Sequence, residues 1–300
     1  MLLVFGRESK QTYCMSNAEI DQYFEYHNQN MKLLQIGFTR IKKEINNTYR
    51  LKDGSNYVFE LSVNDPRRKE AQDTINSYNR ILSGIQISWA EESIKRLWYE
   101  KSVFADDQSN FLIDNRVLEQ RWHLTLKLSY CIAYNLVPQG DETCQSVNIN
   151  RDSRHLGSIV TTKYRSLKQI VNEILVPGFH IRNKVQHGEW IAAFLPPDSK
   201  VYSQDLSDKI SAEDVVRISS RYLITTSLYN LIVEIVRFRS RNFALDPSQT
   251  PFEYFFDQRK RKIEFERKKV LDSSLDKYVN HLIKSEKKAD MYRASLLSDE

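Results

Sequence analysis

Apolar residues recur at two different spacings along this 300-residue chain, and the spacing changes mark its elements. "SNAEIDQYFEYHNQNMKLLQIGF" opens on Ser16 and Glu19. Three apart, they form a capping box: the serine oxygen accepts an amide N–H of the first turn while the glutamate reaches back to the serine amide. A helix is predicted to follow. Between Thr48 and Val63 the period shortens to two. Tyr57, Phe59, Leu61 and Val63 alternate with polar neighbours and Asp53-Gly54 supplies a turn, which predicts a β-hairpin. Asp65-Pro66 ends it, and "RRKEAQDTINSYNRIL" returns to a helical pattern. Ser88 and Glu91 give a second capping box, predicting a new helix start.

A strong amphipathic helix is predicted over 115–136, with Val117, Trp122, Leu124, Leu128, Cys131, Ile132 and Leu136 mostly on one side and Pro138-Gln139-Gly140 as its stop. Another is predicted over 156–176, ended by Pro177-Gly178. "LPPDSK" reads as a loop. Ser211 and Asp214 are placed to cap a long helix that is apolar on more than one side, as suits the centre of a bundle. Tyr222 and Tyr229 on that helix read as core. Thr250, Pro251 and Glu253 form a complete start signal for a last, densely charged helix. At least six helices against one hairpin predict an all-α fold in three parts. A mixed helix and β-hairpin region covers 1–85, a helical bundle 86–245, and a charged helical tail 246–300.

Scarce glycine (8) and proline (7) agree with helix over a turn-rich β architecture. A formal net charge of +5 permits a polyanion partner without demanding one. Cys14, Cys131 and Cys144 form no C-x-x-C pair, which argues against a zinc site, and so sparse a count suits a reducing compartment. "MLLVFGRESK" has too short an apolar run for a signal segment, and no run approaches the ~18 apolar residues of a membrane span. The expectation is a cytoplasmic protein with no membrane association, no metal and no cofactor.

The segment "IRNKVQHGEW", Ile181 to Trp190, carries the candidate chemistry. Arg182 and His187 are five residues apart, which on a helix is ~7.5 Å of rise and ~140° of rotation. One protomer would struggle to aim both at one atom. Two copies facing each other across a twofold axis would pool an arginine pair and a histidine pair in one cleft. Histidine gives or takes a proton near neutral pH. Arginine holds phosphate oxygens and stabilises charge building at phosphorus. In RNA the 2′-OH is an internal nucleophile, so the protein need not supply one. Asn183 is placed to orient Arg182 or bond a ribose, and Gly188 lets the chain turn.

Arg182, Asn183, His187 and Gly188 resemble the signature of the HEPN superfamily: an arginine, often followed by a polar Asn, Asp or His, with a histidine four to six residues beyond. The long helices before and after the segment suit the HEPN bundle, and the resemblance spans roughly 88–243. It implies a metal-independent endoribonuclease acting at a homodimer interface, of the kind found in toxin–antitoxin, abortive-infection and antiviral systems, with an antitoxin or defence-system protein as a possible partner. It implies catalytic roles for Arg182, His187 and Asn183, and products ending in 2′,3′-cyclic phosphate and 5′-hydroxyl. Some members of the superfamily have lost catalysis. The alternative here is therefore a silent helical module that binds a partner protein or nucleotide.

Other histidines carry less. His180 has no carboxylate–histidine cluster to make it a metal ligand, and His123 and His155 have no partner at motif spacing. In the tail, "QRKRKIEFERKK" sets Arg259, Lys260, Arg261 and Lys262 together. They read either as a solvated helical face or as a sequence-independent contact to an RNA backbone.

Overall fold

The computed structural model describes residues 16–50, 57–101, 103–115, 117–149, 153–195, 201–239, 251–272 and 274–298. The fold is predominantly helical, and among the described residues its only sheet has two strands. No helix among them is long and apolar enough to cross a membrane. Helices α1 (Asn17–Tyr49) and α2 (Pro66–Trp98) are each 33 residues, roughly 50 Å long, and lie against each other. They run antiparallel: Asp21 at the start of α1 meets Lys101 just past the end of α2 at 2.6 Å. The capping box expected at Ser16 and Glu19 opens α1, with Glu19 N–H donating to Ser16 Oγ and Ser16 N–H to Glu19 Oε2.

The hairpin expected over 48–63 is not what forms. Thr48 and Tyr49 stay in α1, where Thr48 Oγ donates back to the Glu44 carbonyl. A 3₁₀ turn occupies Val58–Glu60. Among the described residues the pairing is one antiparallel bridge between Arg50 and Tyr57, and 51–56, with the Asp53-Gly54 turn, lie outside them. The alternation misleads because this segment plugs the end of α1. Val58 is buried, and Phe59 stacks on buried Tyr49 with ring centroids 5.3 Å apart.

Ser88 and Glu91 are not a helix start either. No proline or cap interrupts α2 between Pro66 and Trp98, so it runs unbroken through both and across the 85/86 position. α2 buries residues on several sides, including Leu82, Gln86, Ile87, Trp89, Ile94 and Leu97, which is how it can run between α1 and the rest of the bundle.

A short α3 (Asp106–Asp114) leads to α4 (Leu118–Ala133), which ends before the proline expected to stop it. Asn135 takes φ 55°, and the Leu136 and Asn135 amides donate to the Cys131 and Ile132 carbonyls, the Schellman pattern with asparagine in the left-handed position. α5 (Ser153–Ile170) does not break at Pro177-Gly178. It passes through a π turn (Val171–Leu175) into α6 (Val176–Gln186). Proline lacks an N–H and crowds the carbonyl four residues back. The wider turn, closed by Val176 N–H on the Val171 carbonyl, accommodates that crowding, so the chain continues as helix.

After α6, β1 (Ala193–Leu195) pairs antiparallel with β2 (Val201–Ser203), Phe194 opposite Tyr202. Of the "LPPDSK" loop, Leu195 is strand and 196–200 lie outside the described residues. The long helix expected from Ser211 forms as one helix that starts four residues later, at Val215. Ser211 ends α7 (Gln204–Ser211), and Asp214 caps α8 (Val215–Arg239) by accepting the Val216 and Arg217 amides at 2.8 and 2.9 Å. α9 (Pro251–Leu271) begins on the expected proline, with Thr250 outside the described residues, and α10 (Leu275–Ser298) follows.

The main core joins α2, α4, the π turn and α8 through Ile94, Leu97, Trp122, Leu126, Val171, Leu175, Leu228 and Ile232. Tyr229 and Cys131 are buried in it. A second cluster joins α1 (Phe38, Ile45), α2 (Ile75, Leu82), α8 (Val215, Ile218) and α10 (Val279). Tyr222, half-buried, stacks on Phe38 between the two. A third, small cluster of Ile181, Val185, Ala193 and Ile210 seats the C-terminal half of α6 on β1 and α7.

Candidate functional site

α6 sits hard against two other helices, and that fixes where its polar residues emerge. A Cβ at Gly178 would stand 2.9 Å from Arg221 Cδ on α8 and 3.0 Å from Ile87 Cδ1 on α2. Only glycine permits this approach without displacing a neighbour. One turn later on each helix, four residues from Gly178 and four from Ile87, are Arg182 and Glu91. Arg182 Nη2 reaches Glu91 Oε2 at 3.5 Å, and Arg182 Nη1 donates to Asn183 Oδ1 at 3.3 Å.

Glu91 is shared. Lys95 Nζ binds its Oε1 at 2.9 Å and Arg121 Nη1 the same oxygen at 3.3 Å. Arg121 is anchored in turn: it donates to the Ile113 and Asn115 carbonyls at the end of α3 and lies over the Trp98 ring. The network continues through Lys95 to Glu92 at 3.2 Å, and Glu92 meets His27 of α1 at 2.8 Å and Asn30 at 2.9 Å. Burial opposes ionisation of Glu92, but His27, Asn30 and Lys95 outweigh it and bring its pKa down to about 2. Arg182, Arg121 and Lys95 against Glu91 and Glu92 are three cations on two carboxylates, so the cluster carries a net positive charge. Arg182 has the longest contact to Glu91 of the three cations and is the least neutralised.

The end of α6 explains the rest of the quoted segment. Gly188 takes φ 82°, and the Gly188 and Glu189 amides donate to the Val185 and Lys184 carbonyls at 3.1 and 3.0 Å. This is a Schellman stop with glycine in the left-handed position. Trp190 Nε1 donates to the Val185 carbonyl at 3.0 Å, and its own carbonyl accepts Arg80 Nε, so the tryptophan clamps the helix end back onto α2. His187 is the C-cap and is exposed, as are Asn183 and His180. Glu189 accepts the Phe194 amide and Lys184 and, against the desolvation that opposes it, stays ionised below its ordinary range.

Arg182 and Asn183 are therefore brought together side chain to side chain, while His187 is joined to Asn183 through the backbone, its N–H donating to the Asn183 carbonyl at 3.2 Å. Glu91, Lys95 and Arg121 are the residues that sequence reading missed. Glu91 and Lys95 carry a signal, an i,i+4 acid–base pair on α2, that the capping-box reading of Ser88 and Glu91 obscured. Arg121 has no sequence signal, because its role depends on the carbonyls of α3. In the tail, Arg261 and Lys262 are exposed and Arg259 and Lys260 are half-buried. Among the described residues no group of three or more His, Cys, Asp or Glu side chains is placed to hold a metal ion. No protein-family model, no curated protein and no solved structure matches the chain.

Proposed function

We propose that the C-terminal turn of α6 is half of a HEPN-type site for metal-independent cleavage of RNA, completed by the same turn of a second copy. The observation that carries this reading is the pairing of an incompletely neutralised Arg182, steadied by Glu91 and Asn183, with an exposed His187 five residues on. Arg182 would hold the scissile phosphate and stabilise the charge that gathers on it. One His187 would take the proton of the 2′-OH as that oxygen attacks phosphorus. The partner copy's equivalent would protonate the departing 5′-oxygen. The products are then a 2′,3′-cyclic phosphate and a 5′-hydroxyl. The reading places the protein among toxin–antitoxin or antiphage defence nucleases.

Exposed apolar residues beside the turn favour a second copy over a lone protomer. Trp190 and Ile191 come three and four residues after His187, and Val201 and Tyr202 stand on the adjoining hairpin. Ile191 is 84% exposed. A stable twofold interface buries more than ~1,200 Å² in total. Covering this patch would bring two copies of the turn together. The test is cleavage of an oligonucleotide in chelator, with a matched substrate carrying 2′-hydrogen at every position. The reading requires cyclic-phosphate ends from the first and no cleavage of the second. Cleavage of both, or strict dependence on added divalent metal, overturns it.

A further inference from the structure

The outward face of α9 carries an aromatic ring set among cations. Phe256, Ile263 and Val270 turn inward to the main core, and Glu266 is buried beneath them. Phe265 points the other way and is 61% exposed. Arg261 and Lys269 lie four residues either side of it, and Lys262 and Lys268 three. At ~100° per residue all four fall within ~60° of the ring around the helix axis. Arg261, Lys262 and Lys268 are exposed. Lys269 Nζ stands 4.2 Å from the ring centroid, a cation–π contact that holds the ring in place.

Of the four cations, Lys269 has an acidic partner in an ion pair, whereas among the described residues Arg261, Lys262 and Lys268 have none. Glu264 accepts Arg267 at 3.4 Å, and Glu266 accepts Lys269 at 3.0 Å from the buried side. Arg267 also binds Glu173 in the π turn, which ties α9 to the helix that continues into α6. A lone exposed phenylalanine is ordinary on a protein surface. A phenylalanine centred between two pairs of cations, one of which caps its ring, has the composition of a single-strand platform: a π-face for a base and charges for the phosphates on either side of it.

We infer that Phe265 is a stacking platform for single-stranded RNA, with Arg261, Lys262 and Lys268 contacting the flanking phosphates and Lys269 holding the ring. The inference rests on RNA being the ligand, as in the function proposed above. It also redistributes the basic run: Arg261 and Lys262 belong to the platform, half-buried Arg259 and Lys260 do not, and Lys268 and Lys269 join from the next turn. Stacking is tolerant of sequence because every base has a π-face, so the platform would recruit unpaired RNA without choosing the cleavage position. Paired RNA hides its base faces and would gain only from the charges.

The experiment measures binding of the full chain to a fluorescein-labelled 2′-O-methyl oligouridine by anisotropy. This probe has no 2′-OH nucleophile and reports binding alone. Phe265→Ala should weaken binding about tenfold, while Phe265→Tyr should bind as the parent. Arg261→Gln with Lys268→Gln should reduce the slope of log K against log salt by about 1.4. A 2′-O-methyl duplex of equal length should bind independently of Phe265. Parent-like binding by Phe265→Ala, or no binding by the parent at low salt, overturns the inference. Phe265-dependent binding by a protein that cleaves no RNA leaves the platform standing and removes the nuclease reading. Cleavage with Phe265-independent binding does the reverse.

Discussion

Removing the Glu213 carboxylate should unseat α6 by stranding a buried charge. Arg221 Nη1 and Nη2 donate to the two carboxylate oxygens of Glu213 at 2.8 and 2.6 Å, a bidentate pair whose side chains are 4% and 3% exposed. Ser83 of α2 donates to the same carboxylate at 3.2 Å, and Arg221 Cδ abuts Gly178 of α6. One ion pair therefore joins α8, α2 and α6 beneath the candidate site. Breaking such a pair from one side costs about 3–5 kcal/mol, because the remaining charge has neither water nor partner. Against a typical stability of about 5–15 kcal/mol this is a third or more of the total in many domains. Urea unfolding followed by far-UV circular dichroism should show that loss for Glu213→Ala. Glu213→Leu combined with Arg221→Met removes both charges and should recover most of it, since apolar replacements of buried pairs are often neutral. A loss under about 1 kcal/mol for Glu213→Ala, or a double variant no better than the single, would refute the reasoning.

Two further predictions concern the site's surroundings. Gly188→Ala should cost about 1–2 kcal/mol in the same assay, because φ 82° disfavours any side chain even though nothing lies within 4 Å of the new Cβ. Gly188→Asn should cost less, and equal losses would mean the cap is not the reason for glycine. Glu92, whose pKa falls from 4.5 to about 2 on folding, stabilises the folded state fully above pH ~4.5. That contribution, of order 3 kcal/mol, should disappear as the pH falls toward 2. Glu92→Gln should flatten this acid limb of a stability–pH curve, and an unchanged limb would assign acid sensitivity elsewhere.

Helix content was legible because caps and apolar stripes are local. Ser16 with Glu19, Asp214 and Pro251 act where their spacing predicts. Boundaries that depend on tertiary contact were not. Pro177 reads as a break, but a π turn three-dimensionally equivalent to an extra residue absorbs it. Ser88 and Glu91 have capping-box spacing inside a helix that neither starts. The alternation at Tyr57, Phe59 and Leu61 is that of a strand, yet the segment closes the end of α1 because Tyr49 offers a ring to stack on. β1 and β2 are three residues each, too short for any period to show.

At the candidate site, Arg182, Asn183 and His187 were legible as residue types at a spacing, and the Arg182–Asn183 contact follows from adjacency. The shared carboxylate was not. Glu91 meets Arg182 across 91 positions of sequence, and Arg121 joins them only because α3 ends beside α4. Gly188 had a double meaning that only backbone angles separate: it stops α6, whatever else the turn does.

The most direct measurement is single-turnover cleavage of a labelled single-stranded RNA in EDTA by the parent, Arg182→Ala and His187→Ala. His187 is exposed and its side chain contributes nothing to the core, so its variant should unfold in urea like the parent. The account predicts cleavage by the parent to cyclic-phosphate ends, with rates reduced at least ~100-fold in His187→Ala and in Arg182→Ala. Cleavage by a correctly folded His187→Ala at the parent's rate would contradict it.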